Sequence, residues 1–292
     1  MEHTPEPSTI VFPGTDDPAS PWRLYNHLIA GIPEDIFVRD YCLGLNWSYV
    51  EADCGCGVAF TARNGGKRTY KGDLRGKSLR EVAELSKSWC FEEATLGIAA
   101  LNAWYARREL LDPLGATYDT EEEVDKGKRG GTSSKDAFET YRPRIEQAGG
   151  DAHVVVVGHF PHVENIAEYA KLTVLERSCR DEWDTPDPAC EYVMPTADYA
   201  FITGVTLINK TAPRLLTLAK DATVCMVGPS VIMTPYLFEW GVESLSGSVV
   251  ADPEAVKFAC KNAAGKLFGK ALQMTTINAQ QRQATGRVRN RR

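Results

Sequence analysis

From residue 151 onward, short apolar segments that read as strands alternate with segments of helical periodicity. The series begins with VVVVG at residues 154–158, and it continues with LTVLER (172–177), AFITG (200–204) and ATVCMVGP (222–229). Continuous apolar runs of this length are typical of strands that are buried on both faces, with the intervening helices serving as crossovers. The alternation therefore predicts an α/β fold, with a parallel sheet covered by helices on both faces over residues 151–275.

The first part of the chain has a different pattern. Two strand-like runs, DIFVRDYCLGLNWSYVEA and GVAFTAR, precede two segments with helical spacing, LREVAELSKSW and FEEATLGIAALNAWYARREL. This order predicts a smaller α+β domain over residues 20–112. The charged, glycine-bearing stretch TEEEVDKGKRGGTSSKD makes residues 113–150 a predicted linker or mobile segment, between an N-terminal extension (1–19) and a basic tail (276–292) at the two ends.

Charge and composition exclude several classes of protein. A net charge of −6 argues against nucleic-acid binding, which needs a dense basic face. No apolar run has the length of a membrane span, and the N-terminus lacks the pattern of a secretory signal, so we expect a cytoplasmic protein. The eight scattered cysteines predict free thiols, and a homodimer is expected because it is the commonest closed oligomer.

Polar residues and glycines follow four of the predicted parallel strands, in turns at residues 158–161, 176–178, 203–206 and 228–230. The third turn continues through Asn209 and Thr211, so that hydroxyl and amide groups crowd the start of the next helix. Ligands of open α/β sheets bind outside the carboxyl ends of the strands. We therefore expect a ligand-binding cleft at this edge, although capping explains one such residue and a tight turn explains Gly158.

The first turn does not carry a dinucleotide-binding fingerprint. The sequence Gly158-His159-Phe160-Pro161 has one glycine where G-x-G-x-x-G is required, and the proline removes a backbone donor. We therefore expect no NAD or FAD. Two possible metal-ligand pairs, Cys54/Cys56 and His159/His162, are also visible, but two ligands do not complete a structural zinc site. Buried or loop thiols and polar loop histidines remain the simpler interpretation.

The chain resembles the heavy-metal chelation family over most of residues 20–270. The resemblance rests on VVVVGHFP, VLERS, DYAFITGVTLINKTAPRLL and VGPSVIMTPYLFEWG, with the T-G-x-T-L-x-N-x-T run as its most specific part, and on GLNWSYVEADCGCGVAFTAR and ATLGIAALNAWY. It implies an enolase-N-terminal-like domain followed by a Rossmann-like domain, with a site in the cleft between them.

Matching positions within the resemblance imply a set of ligand-binding residues from both domains. The turns of the Rossmann-like domain contribute most of them, and the long helix of the first domain contributes two: Gly158, Phe160, Pro161, Glu176, Thr203, Gly204, Thr206, Asn209, Pro229, Ser230, Glu93 and Asn102. Neither catalytic residues nor metal ligands are implied.

Two functions are consistent with this reading. The first is the binding of a small polar ligand, with or without a heavy-metal ion, in the cleft between the two domains, with Glu176 as the main charged group and the Thr203–Asn209 turn as a source of donors. The second is an enzyme, a transferase or lyase, that uses Glu176 or Glu93 as acid or base in the same cleft.

Overall fold

The structure is a computed structural model, and it describes residues 20–119, 137–264, 267, 269 and 271–279. The predicted extension at 1–19 and the arginines of the predicted tail lie outside these residues. The N-terminal elements are, in chain order, α1 (Arg23–Ala30), β1 (Val38–Cys42), β2 (Trp47–Ala52), β3 (Gly55–Phe60), α2 (Leu79–Ala83), α3 (Phe91–Tyr105) and α4 (Arg108–Leu111).

Strands β1, β2 and β3 form an antiparallel sheet in sequential order. The segment DIFVRDYCLGLNWSYVEA, predicted as one strand-like run, forms the two strands β1 and β2, because the chain turns at residues 43–46. Helix α3 covers one face of this sheet at very short range, since a Cβ on Gly57 would lie 2.1 Å from the backbone N of Ala103. Its residues from Glu93 to Ala103 are all buried. A helix that is apolar around its whole circumference is packed on all sides, and α3 therefore lies between this sheet and the rest of the protein.

The remaining elements build one eight-stranded sheet and the helices around it. They are β4 (Thr117–Tyr118), α5 (Ala137–Glu146), β5 (His153–Val157), β6 (Lys171–Glu176), β7 (Asp184–Pro186), α6 (Cys190–Val193), β8 (Tyr199–Thr203), α7 (Val205–Ile208), α8 (Ala212–Leu218), β9 (Thr223–Val227), β10 (Val242–Val250), α9 (Pro253–Lys261) and β11 (Leu272–Asn278).

The order of strands in this sheet is β4-β11-β10-β9-β8-β5-β6-β7. All pairs from β10 to β7 are parallel, and β11 and β4 extend the sheet in antiparallel fashion. Numbered from β5, the parallel strands follow the order 3-2-1-4-5-6 of doubly wound sheets, which reverses direction between β5 and β8. The predicted α/β class with a mainly parallel sheet is confirmed.

Alternate residues of β5 pack into two different cores. Val154 and Val156 face α5 and the helical turn Val163–Glu168. Val155 and Val157 belong to a larger core that also contains side chains of α1, α3 and α8. The sheet therefore has helices on both faces, and the N-terminal elements share a continuous apolar core with one of those faces.

The predicted linker at 113–150 contains two elements that join the second sheet. Strand β4 pairs with β11, and α5 packs its buried residues Phe138, Tyr141 and Ile145 against β5 and β8. Residues 120–136 lie outside the described part. Strand β11 runs across the predicted boundary at 275, so the domain limits remain a prediction. Within the described ranges, no helix combines the length and apolar character that a membrane crossing requires.

Candidate functional site

A cavity of about 180 Å³ lies at the point where the strand order reverses. Its walls come entirely from residues 157–215, and they include the ends of β5, β6 and β8. Five of the twelve predicted ligand-binding residues line it, namely Gly158, Glu176, Thr203, Thr206 and Asn209. Sequence reasoning missed other residues in its wall, among them Arg177, Asp187 and Arg214. The cavity lies at the carboxyl ends of these strands, and its wall contains no residue of the predicted N-terminal domain at 20–112.

The first two turns are joined by the carboxylate of Glu176. Its Oε1 accepts a hydrogen bond from the backbone N–H of His159 at 3.1 Å, and its Oε2 accepts one from Arg177 at 2.7 Å. Gly158 precedes His159 with φ of +98°, a conformation that favours glycine, and a Cβ there would lie 3.0 Å from the Thr203 side chain. Glu176 is therefore held in a fixed orientation at the cavity wall.

The third turn folds upon itself through short polar side chains. Thr206 Oγ1 donates to the carbonyl of Thr203 at 2.7 Å. Asn209 Oδ1 accepts from both the backbone N–H and the hydroxyl of Thr211, at 3.1 and 2.6 Å. The Nδ2 group of Asn209 makes no hydrogen bond within the described residues, so Asn209 offers a donor at the cavity wall.

Three predicted site residues instead join the fourth turn to the N-terminal elements. Ser230 Oγ accepts from the backbone N–H of Phe60 at 2.9 Å, and Asn102 Nδ2 donates to the carbonyls of Val58 and Pro229 at 3.0 and 3.2 Å. Ser230 and Asn102 are each 2% exposed. These contacts dock β3 and α3 on the carboxyl end of β9.

Gly204 is closely packed against that same fourth turn. A Cβ on Gly204 would lie 2.4 Å from both the carbonyl carbon of Ser230 and the backbone N of Val231. Its φ of −59° is accessible to any residue, so the requirement for glycine is one of space. Gly204 thus keeps the third and fourth turns in direct backbone contact.

The remaining predicted site residues, Glu93, Phe160 and Pro161, lie outside the cavity wall. Glu93 is buried and accepts four hydrogen bonds, from the backbone N–H groups of Thr69 and Tyr70 and the hydroxyls of Thr69 and Ser88. Phe160 packs its ring edge-on against Phe138, with centroids 5.5 Å apart. The Pro161 that follows it is exposed. None of these three is among the residues that line the cavity.

Lys210 has an unusual environment beside the cavity. Its backbone φ is +67°, and its Nζ donates to the carbonyls of Ser88 and of Ile208. The ammonium group also lies 5.7 Å from the ring centroids of Trp89 and Phe91. Burial lowers the pKa of Lys210 to about 7, although nearby acidic groups offset part of the effect.

A group of metal-ligand type lies next to Glu176. It consists of His159 in the first turn, Asp181 in the loop after β6, and Asp184 at the start of β7, with potential ligand atoms within 4.8 Å of one another. Burial alone would raise the pKa of Asp184, but the backbone N–H groups of Arg180 and Asp181 donate to this carboxylate and bring its pKa below the usual value. Of the three residues, sequence reasoning singled out His159 alone.

The cysteines do not form such a group. Cys54 lies in the turn before β3, and Cys56 lies within that strand. Burial raises the pKa of both thiols, and it raises the pKa of Cys260 to about 12. Within the described residues, none of these thiols belongs to a group of three or more metal-ligand side chains.

We expect native protein at pH 8 to react with a thiol reagent first at Cys179, the one cysteine that is exposed. Cys56, Cys90, Cys225 and Cys260 are buried and should react at the rate of unfolding. Peptide mapping after short labelling checks this order, and fast labelling of Cys56 would contradict it.

The fold is that of a doubly wound α/β protein, with a cavity at the carboxyl edge of its sheet. Profiles of a family described as "Putative heavy-metal chelation" match residues 25–105 and 144–277. The crystal structure of a DUF364-family protein from Desulfitobacterium hafniense is 32% identical, covers 88% of this chain and 98% of its own, and superimposes with a TM-score of 0.72. The chain belongs to this family, which confirms the resemblance seen in the sequence.

Two further relatives match most of the chain. A DUF364-family protein from Pyrococcus horikoshii is 21% identical, with a TM-score of 0.70 over 88% of this chain and 99% of that one. An uncharacterised protein from Methanocaldococcus jannaschii is 28% identical over 260 residues, which are 84% of this chain and 90% of the relative. The similarity therefore spans both sheets.

Proposed function

We propose that this protein binds a small polar ligand together with a heavy-metal ion at the carboxyl edge of its parallel sheet. The observation that carries the proposal is the cavity at the reversal of strand order, whose walls combine hydroxyl, amide and carboxylate groups. Doubly wound sheets bind their ligands at this position. The description of the family supports the metal ion.

The size and charge of the cavity limit the ligand. A volume of about 180 Å³ is below the 300–1,000 Å³ that is usual for drug-sized ligands. Both guanidinium groups in the wall have acidic partners, since Arg177 pairs with Asp187 at 3.1 Å and Arg214 pairs with Glu191. The wall is mainly apolar and both of its guanidinium groups are paired, so it suits a compact metabolite whose few polar groups meet the hydroxyl, amide and carboxylate groups of the wall.

Binding is better supported than acid–base catalysis. A general base needs a free lone pair within reach of the substrate. Glu93 accepts four hydrogen bonds from protein groups, which occupy the lone pairs of its carboxylate. Glu176 accepts one backbone N–H on each oxygen and keeps acceptor capacity for a ligand in the cavity. These carboxylates are suited to holding structure and orienting a ligand.

The proposal is tested on protein purified without chelators. We expect elemental analysis to find about one metal ion per chain, and native mass spectrometry to find an additional small mass that is lost on denaturation. A stoichiometric absence of metal would count against the chelation part of the proposal. An intact native mass with no small-molecule adduct, even after incubation with cell extract filtrate, would count against the ligand part.

Asn209 allows a sharper test, because its two side-chain ends have different surroundings. Asn209→Asp keeps an oxygen that accepts from Thr211 and replaces the free Nδ2 donor by an acceptor. We expect this variant to lose the small-molecule adduct. Its free energy of unfolding should stay within about 1 kcal/mol of wild type. Asn209→Ala should lose the adduct as well, and it should also be destabilised by about 0.5–2 kcal/mol because the turn is broken. A fully retained adduct in Asn209→Asp would show that this turn is structural.

A further inference from the structure

The group formed by His159, Asp181 and Asp184 has the composition of a metal centre and a compact geometry. The imidazole lies between the carboxylates, with Nε2 3.4 Å from Asp181 Oδ2 and Nδ1 3.4 Å from Asp184 Oδ1. Two nitrogen or oxygen ligands of a tetrahedral zinc ion are about 3.4 Å apart, because each bond is about 2.0–2.2 Å long. The observed limit of 4.8 Å thus requires that the ligand atoms approach one another by up to about 1.4 Å when the ion binds.

Asp184 provides an independent observation that points to a ligand. Its side chain is 1% exposed, and its Oδ1 is shielded from water and makes no regular hydrogen bond, with His159 Nδ1 3.4 Å away. The other oxygen accepts from the backbone N–H groups of Arg180 and Asp181, at 2.7 and 3.0 Å, and these bonds fix the direction of the carboxylate. A buried carboxylate oxygen that lacks a regular hydrogen bond is costly, and a bound cation would compensate for it. This oxygen lies on the side of the carboxylate that faces His159.

We infer that His159, Asp181 and Asp184 bind one divalent transition-metal ion of the zinc, cobalt and nickel class. This inference deepens the proposed function and rests on its metal-binding part. One imidazole and two carboxylates are borderline to hard ligands, which suit these ions and disfavour soft, thiolate-seeking ones. No cysteine in the described part of the chain belongs to this group, so the site offers no thiolate ligand.

The surroundings indicate an exchangeable ion. Three protein ligands leave at least one coordination position open, as in sites where zinc also binds water or a small molecule. The side chains of His159 and Asp181 are 38% and 51% exposed, so the ion has a route to solvent. The same ion would hold the loop after β6 on the turn after β5, next to the carboxylate of Glu176. Metal and cavity ligand therefore meet at one edge of the sheet.

The test uses full-length protein stripped with a chelator and then titrated with Co²⁺ or Zn²⁺. His159→Asn and Asp184→Asn each remove one metal-binding side chain. Asp184→Asn keeps an oxygen that accepts from the backbone N–H groups of Arg180 and Asp181. His162→Asn is the matched control, because this second histidine of the same turn lies outside the group. We expect wild type and His162→Asn to bind one equivalent by calorimetry. The two ligand variants should bind at least about tenfold more weakly.

The optical spectrum of the Co²⁺ protein provides a second readout. We expect weak d–d bands without the intense thiolate charge-transfer band that cysteine ligands produce. Equal affinity in all four proteins, or a thiolate band, would overturn the assignment to His159, Asp181 and Asp184 while leaving metal binding itself intact. No binding by wild type would overturn both the inference and the metal part of the proposed function. The small-molecule adduct is measured in a separate experiment, so the ligand part of the proposed function is tested independently of the metal.

Discussion

Gly204→Ala is expected to destabilise the protein by about 3 kcal/mol or more, the upper range for overpacking a rigid site. The added methyl group would lie 2.4 Å from backbone atoms of Ser230 and Val231, which cannot rotate away as a side chain can. Relief requires that the turn after β9 move. That movement would strain the bonds that Ser230 and Pro229 make with the N-terminal elements. Urea denaturation followed by circular dichroism measures the loss.

Gly66→Ala is the control for this substitution. Gly66 also has an ordinary φ, but the nearest atoms to an added Cβ are those of Trp89 at 3.4 Å, an ordinary contact distance. Alanine restricts the unfolded chain more than glycine does, and this favours the folded state slightly. We therefore expect the free energy of unfolding to change by less than about 1 kcal/mol. If both variants unfold at the same urea concentration, the close approach of the third and fourth turns does not stabilise the fold.

Lys210 is expected to make the free energy of unfolding rise with pH between about 7 and 10. Its pKa is about 7 in the folded state and 10.5 when solvated. In this window the unfolded chain holds a proton that the folded protein has lost, so raising the pH favours folding. The rise approaches about 1.4 kcal/mol for each pH unit, and it ends when the unfolded lysine also deprotonates.

Lys210→Met keeps the apolar stem and removes the titrating group, so its stability should lack this rise. The informative quantity is the difference between wild type and variant at each pH, because other groups titrate in both proteins. Lys220→Met, which alters a lysine that is 75% exposed, should keep the wild-type slope. Parallel profiles for wild type and Lys210→Met would mean that the ammonium group is as well solvated in the folded protein as in the unfolded chain.

The parallel strands could be predicted because each is a continuous apolar run, as in the four valines of β5. Strand β7 could not, since Asp184–Pro186 is short and polar and becomes a strand through its pairing with β6. Strand β4 is likewise formed by pairing with a strand from the far end of the chain. Propensity does not encode such pairings, because tertiary contacts decide them.

The residues of the candidate site also fall into some that could be predicted from the sequence and some that could not. The cavity residues Gly158, Glu176 and Thr203 followed from one rule, that ligands bind at the carboxyl ends of parallel strands. Asp181 and Asp184 have no periodic signal, and they belong with His159 because a loop folds back on the first turn. The partners of Asn102 could not be inferred either, since Val58 and Pro229 come from opposite halves of the chain.

The packing of α9 on the N-terminal sheet has a consequence for how the protein is made. Val256 and Cys260 of α9 share a buried cluster with Trp47, Tyr49 and Val58 of that sheet. The sheet therefore leaves the ribosome long before the helix that covers it is translated. At about 5–20 residues per second, its apolar face waits on the order of ten seconds or more. A chaperone that shields exposed strands should accordingly raise the yield of this protein most when translation is slow.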